Sequence, residues 1–174
     1  MRVSITFRAL LALAIGLGFL AGSPAAAQDR PVRVSLGYAF LEYLEEDAGN
    51  TPLGFYFSLA TARRQVGFEL DVAYHRESED LFGETFTLNT FTATVGPKLE
   101  FGSGRTRPYV HLLGGLRYDS IEDESNTSWG GMTGLGVDIP LGDSVFLRLG
   151  ADFQMFFEDD ENVKTLRLNA GISF

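Results

Sequence analysis

The sequence predicts an all-β chain, an eight-stranded antiparallel up-and-down transmembrane β-barrel. Three observations carry that prediction. Apolar residues alternate with period two in eight separate runs after residue 30, while helical periodicity is almost absent. The connections between runs alternate between short and long. The face opposite the apolar one holds glycines and matched numbers of acids and bases.

The chain begins with a segment that the fold prediction sets aside. Arg2 and Arg8 give a positive start, Ala9 to Leu20 form an apolar run, and Pro24-Ala25-Ala26-Ala27 offers a small-residue cleavage site before Gln28. The run is too short to span a bilayer as a helix, which favours a cleaved signal peptide at residues 1–27 over a retained anchor. The barrel domain is then 28–174. Removal of the two arginines takes the formal charge from −9 to −11. A chain this acidic is no candidate for nucleic-acid binding, which needs clustered Lys and Arg. It has no cysteine, so disulfides, thiolate metal sites and a Cys nucleophile are excluded.

The runs follow in order. Val32 to Phe40 places Val32, Val34, Leu36, Tyr38 and Phe40 on one face and Arg33, Ser35, Gly37 and Ala39 on the other. The second opposes Leu53, Phe55, Phe57 and Leu59 to Gly54, Tyr56, Ser58 and Ala60. The third opposes Val66, Phe68, Leu70, Val72 and Tyr74 to Gly67, Glu69, Asp71, Ala73 and His75. In the fourth, Phe91 to Phe101 alternates with Thr92, Thr94, Gly96, Lys98 and Glu100. Its Pro97 lacks an N–H, which predicts a bulge or a lost bond there. The fifth sets Val110, Leu112, Gly114, Leu116 and Tyr118 against Tyr109, His111, Leu113, Gly115 and Arg117. The sixth, rich in glycine, sets Leu135, Val137 and Ile139 against Gly134, Gly136 and Asp138. The seventh runs from Val145 to Met155 with Phe146, Arg148, Gly150, Asp152 and Gln154 opposite. The eighth sets Leu166, Leu168, Ala170, Ile172 and Phe174 against Thr165, Arg167, Asn169, Gly171 and Ser173.

Short connections are expected at 62–65, 102–106 and 140–144, and long acidic ones at 42–51, 76–84, 119–128 and 158–163. Short turns on one rim and long loops on the other suit a membrane barrel, with both termini on the turn side. A strand of about 10 residues at ~3.3 Å each, tilted by ~40°, covers roughly the ~25 Å apolar band of such a barrel.

Alternation alone fits a soluble sandwich or a soluble ligand-binding barrel equally well. The second face decides. It holds five cations (Arg33, Lys98, Arg117, Arg148 and Arg167) and five carboxylates (Glu69, Asp71, Glu100, Asp138 and Asp152). An enclosed lumen requires that balance, because an unpaired buried charge costs several kcal/mol or about that order. These ten residues form the expected lumen charge network. The apolar face carries aromatics toward both strand ends, at the levels where aromatic belts meet lipid headgroups.

The segment Leu166-Arg-Leu-Asn-Ala-Gly-Ile-Ser-Phe174 looks like a barrel assembly signal, with Leu166, Leu168, Ala170 and Ile172 alternating up to the terminal Phe174. Gly96-Pro97-Lys98, Arg107-Pro108-Tyr109-Val110 and Leu113-Gly114-Gly115 are similar to a hairpin of the same kind of protein. The chain resembles the eight-stranded outer-membrane protein β-barrel family, the OmpA-like transmembrane domain and its OmpX-like relatives, over essentially all of residues 30–174. The resemblance implies a bacterial outer-membrane location with long loops extracellular and both termini periplasmic. Outer-membrane lipid and the barrel assembly machinery are the partners it implies, with no periplasmic domain and no cofactor.

A structural or surface-interaction role with a filled lumen leads the functional readings. A narrow porin-like conduit for ions or very small solutes is the alternative, and a lipid-modifying enzyme follows at a distance. The sharpest enzymatic version pairs His75 with Ser78 and Glu77 in a lipid hydrolase at the loop rim, and no GxSxG, zinc-protease, P-loop or dinucleotide motif is present. Of the 23 acids, 16 fall in the four long connections. That crown is either a solvated polyanionic rim or a collector of divalent cations, which prefer several oxygen ligands; no loop has EF-hand spacing.

Overall fold

The computed structural model describes residues 32–44, 52–63, 65–81, 84–102, 105–121, 124–158 and 162–174; the proposed signal segment lies outside them. Eight strands run β1 (Val32–Tyr43), β2 (Leu53–Arg63), β3 (Val66–Leu81), β4 (Glu84–Glu100), β5 (Arg107–Ile121), β6 (Glu124–Pro140), β7 (Phe146–Phe157) and β8 (Asn162–Ser173). Each pairs antiparallel with its sequence neighbours, and β8 pairs with β1 to close the barrel. Closure leaves no strand edge within the sheet, as hydrocarbon demands of any backbone that crosses it.

The strand register fixes the barrel's geometry. Paired residues can be followed once round from Val34 through Leu59, Leu70, Val95, Gly114, Gly131, Met155 and Lys164. The carbonyl of Lys164 accepts the N–H of Leu44, so the circuit returns to β1 ten residues above its start. Eight strands with that stagger tilt by roughly 40°, which leaves an interior just wide enough for side chains.

The period-2 faces fall as the alternation requires. Leu36, Phe68, Leu112, Trp129 and Leu135 stand exposed on the outside, whereas Ser58, Glu69, Asp138, Arg148 and Asp152 are buried inside. Among the described strand side chains, charges on the outer face are confined to Glu42, Arg76 and Lys164, close to the loop-side ends. An apolar outside around a charged inside is the reverse of a soluble barrel and is the arrangement that lipid selects.

At Pro97 the lost bond is present and the bulge is not. The β4–β5 ladder skips from Val95↔Gly114 to Lys98↔His111 with the same register on both sides, while Phe68↔Pro97 keeps the β3 side continuous.

Two of the expected long loops are instead strand. β3 and β4 stay paired up to Leu81↔Glu84, and β5 and β6 up to Ile121↔Glu124. Beyond the bilayer both faces of a hairpin meet water, so the apolar alternation fades while the backbone ladder continues. Thr85, Thr87, Thr90 and Thr127 there carry strand propensity without that pattern.

Candidate functional site: the charged lumen

Glycines make the lumen roomy enough for its charges. A side chain at Gly136 or Gly150 would meet the Tyr109 hydroxyl, one at Gly171 the Tyr56 hydroxyl, and one at Gly134 both Asp152 and His111. Large inward side chains therefore lie against walls where the facing strand has none.

Nine of the ten expected network residues form one connected cluster with His111. Arg148 donates from Nε to Asp138 Oδ1 at 2.9 Å and from Nη1 to Glu69 Oε1 at 2.6 Å. It also donates to the Ser58 hydroxyl at 3.0 Å. β3 and β7 are four strands apart in a ring of eight, so the Glu69–Arg148 pair spans the barrel. Arg167 donates to Asp152 at 2.8 Å and to Asp71 at 2.7 Å, and Asn169 adds a bond of 2.9 Å to Asp152. Arg33 donates to Glu100 at 2.6 Å and to Asp138 at 3.3 Å. Lys98 Nζ lies 3.7 Å from Glu69 and 3.5 Å from Glu100. It also sits 4.2 Å from the centroid of the Tyr109 ring, and the Arg148 guanidinium carbon lies 4.7 Å from that centroid. Tyr109 thus takes two cations on its π system, where desolvation strengthens the attraction.

His111 joins the two halves of this cluster. Its Nδ1 lies 3.0 Å from Glu69 Oε2 and its Nε2 2.9 Å from Asp152 Oδ1. Ionised carboxylates only accept, so both ring nitrogens donate and the ring is cationic. The cluster then balances five cations (Arg33, Lys98, His111, Arg148 and Arg167) against five carboxylates (Glu69, Asp71, Glu100, Asp138 and Asp152).

Arg117, assigned to the network from sequence, is also buried in the lumen but stands apart from it. It donates to Asp119 through Nε at 2.6 Å and Nη2 at 3.0 Å, and from Nη2 to the Tyr43 hydroxyl at 3.1 Å. Thr90 donates to Asp119 at 2.5 Å. β1 and β5 lie opposite each other, so this second cluster also crosses the barrel, nearer its loop-side end. Alternation places a residue on the inward face without saying how high it sits, so sequence reasoning included Arg117 and missed His111 as the hub. It also missed Asp119 and Tyr43, which fall where loops were expected to begin.

The residues of the assembly segment Leu166, Leu168, Ala170, Ile172 and Phe174 share the outward phase of β8. Phe174 and Val34 exchange backbone bonds of 2.8 and 2.9 Å, which carries the β8–β1 ladder to its turn-side end. The enzymatic constellation does not assemble. His75 is buried in the lumen, whereas Ser78 is exposed and bonds Thr87 at 3.3 Å. Among the described residues no group of three or more His, Asp or Glu is placed to hold a metal ion. Glu45, Glu46, Asp47, Glu122, Asp123, Asp159, Asp160 and Glu161 of the acidic crown lie outside the described residues.

A closed barrel of this kind with its charges inside has a counterpart among known families, and the model for the outer membrane protein beta-barrel domain matches residues 11–174. The chain belongs to that family. The family places it in the bacterial outer membrane, with the exposed apolar face against lipid. Solved structures agree on the fold. Neisserial surface protein A is 16% identical with a TM-score of 0.66, covering 83% of this chain and 97% of its own. Ail, the attachment invasion locus protein of Yersinia pestis, in complex with the heparin analogue sucrose octasulfate, is 19% identical with a TM-score of 0.61, covering 82% and 97%. The outer membrane protein OprG from Pseudomonas aeruginosa is 13% identical with a TM-score of 0.57, covering 83% and 94%. No curated protein sequence matches the chain significantly.

Proposed function

We propose that this barrel works at the bacterial surface, presenting its long hairpins to the exterior while its lumen stays closed to ions. The observation that carries the surface role is the unequal height of the wall. β4 and β5 remain paired up to Leu88↔Ile121, so the β3–β4 and β5–β6 hairpins rise as one four-stranded sheet. β2 pairs with β3 only as far as Leu53↔Arg76, and β7 with β6 only as far as Trp129↔Phe157. A sheet that continues past its neighbours is a rigid platform for a partner, where a loop would have to be ordered on binding.

The partner's chemistry follows from charge. The heparin analogue in the Ail complex is a polyanion, whereas the long connections of this chain hold most of its acids. Repulsion opposes a sulfated glycan here and favours a cationic surface or peptide. The closed lumen rests on the two clusters that span the barrel, since wide aqueous channels need about 16–18 strands.

Orientation is the testable core. The chain has no cysteine, so a single introduced one reports alone. Ser125 is exposed in the projecting sheet, and a side chain at Gly142 in the β6–β7 turn would meet nothing within 4 Å. On intact cells a membrane-impermeant maleimide should label Ser125→Cys and spare Gly142→Cys. The opposite pattern would turn the barrel over and remove the surface role.

A further inference from the structure

The projecting sheet has two faces of different chemistry. Its pairing runs Glu77↔Leu88↔Ile121↔Glu124 across β3, β4, β5 and β6, which sets these four residues in one row. They keep the inward phase of Thr90, Arg117 and Ser128, all buried in the lumen, so the row faces across the barrel mouth. The adjoining row of opposite phase is Arg76↔Asn89↔Ser120↔Ser125. Among the described side chains of this sheet, the acids Glu77, Asp119 and Glu124 all take the inner face. The outer one carries hydroxyls, Asn89 and Arg76. Between the acids, Ile121 is 46% exposed and Leu88 half-buried, and neither faces lipid. A cross-strand aliphatic pair steadies two hairpins against each other, but that needs neither the exposure nor an acid on each side.

We propose that this inner face docks a cationic amphipathic helix, with its apolar stripe on Leu88 and Ile121 and its basic side chains toward Glu77 and Glu124. The dimensions suit one helix. Three strand spacings separate Glu77 from Glu124, about 14 Å, and a helix of roughly 10 Å diameter lies along β4 and β5 within that width. Beneath the row the Arg117, Asp119 and Tyr43 cluster crosses the lumen, so the helix rests against the sheet and does not enter the barrel. The chemistry selects both properties together. A wholly polar polycation leaves the aliphatic pair in water, and an uncharged apolar helix takes water from the carboxylates without replacing it. A helix with basic flanks beside its apolar stripe meets both needs.

The inference deepens the surface role and rests on it for the partner's access. Its test is separate, because a nanodisc leaves both ends of the barrel open and a failure to bind leaves the maleimide result standing. The probes are two fluorescent peptides of identical leucine and lysine content, one patterned as an amphipathic helix and one shuffled. Binding is followed by anisotropy to the barrel in phosphatidylcholine nanodiscs, with empty nanodiscs as the baseline. The patterned peptide should bind roughly tenfold tighter than the shuffled one, since only it brings its leucines to one face. Ile121→Ser should remove most of that preference while keeping the gel mobility of a folded barrel. Glu124→Gln should weaken both peptides and flatten the salt dependence. Equal binding of the two peptides, a preference that survives in folded Ile121→Ser, or unchanged binding to Glu124→Gln would overturn the proposal. Should Ile121→Ser fail to fold, methyl resonances of the unmodified protein decide the matter. Shifts at Leu88 and Ile121 on adding the patterned peptide support the docking face, and their absence at either breaks it.

Discussion

His111 is where single side chains matter most. Glu69 and Asp152 come from opposite strands and are held against one imidazolium. His111→Ala should cost about 3–5 kcal/mol, because it leaves two buried carboxylates short of a cation. Urea unfolding of the barrel in lipid vesicles measures this, and adding Glu69→Gln to the variant should recover part of the loss. Arg117→Ala should cost much less, about 1 kcal/mol, since its partner Asp119 keeps access to water at the loop-side end. Equal losses at the two sites would mean that burial does not set the cost. The inward phase of both residues was legible from period two alone. Their different roles were not, because height in the lumen depends on register, and register is a property of strand pairs.

At the level of the strand, adjacent glycines of β5 differ in what they do. A Cβ on Gly115 would run into the Ala93 carbonyl, whereas one on Gly114 would approach nothing closer than 3.7 Å. Gly115→Ala should therefore hinder pairing with β4. Gly114→Ala should be neutral or should stabilise by about 0.5–1 kcal/mol, the usual gain from replacing a strand glycine. The lipid face gives the companion contrast. Leu70→Arg should cost roughly 2–4 kcal/mol at mid-membrane. Ser58→Ala, which removes one acceptor from Arg148, should cost about 1 kcal/mol. Comparable losses would reverse the assignment of inside and outside. Strand phase, strand number and the break at Pro97 could all be read from sequence, since each is a local consequence of side-chain alternation or a missing N–H. The outer thirds of β3 to β6 could not, because water on both faces erases the pattern that marks a strand.

For the whole barrel, the closed lumen predicts no steady single-channel current in planar bilayers. The charge-balanced pair Arg167→Ser, Asp71→Ser removes one strut, leaves Asp152 to His111 and Asn169, and should raise conductance in a folded barrel. Large steps from the unmodified protein would favour a conduit instead. The join between β8 and β1 carries a further consequence, one of timing. It pairs Tyr38 with Ala170, residues from opposite ends of the barrel sequence. Contacts so distant along a chain are the slowest to form, because the entropy of closing the loop is spent before the contact rewards it. Seven paired strands would still present two open edges to the bilayer, so no partial barrel is a stable resting point. Folding must wait for the last strand to arrive, and until then the chain has to be kept from pairing with its neighbours.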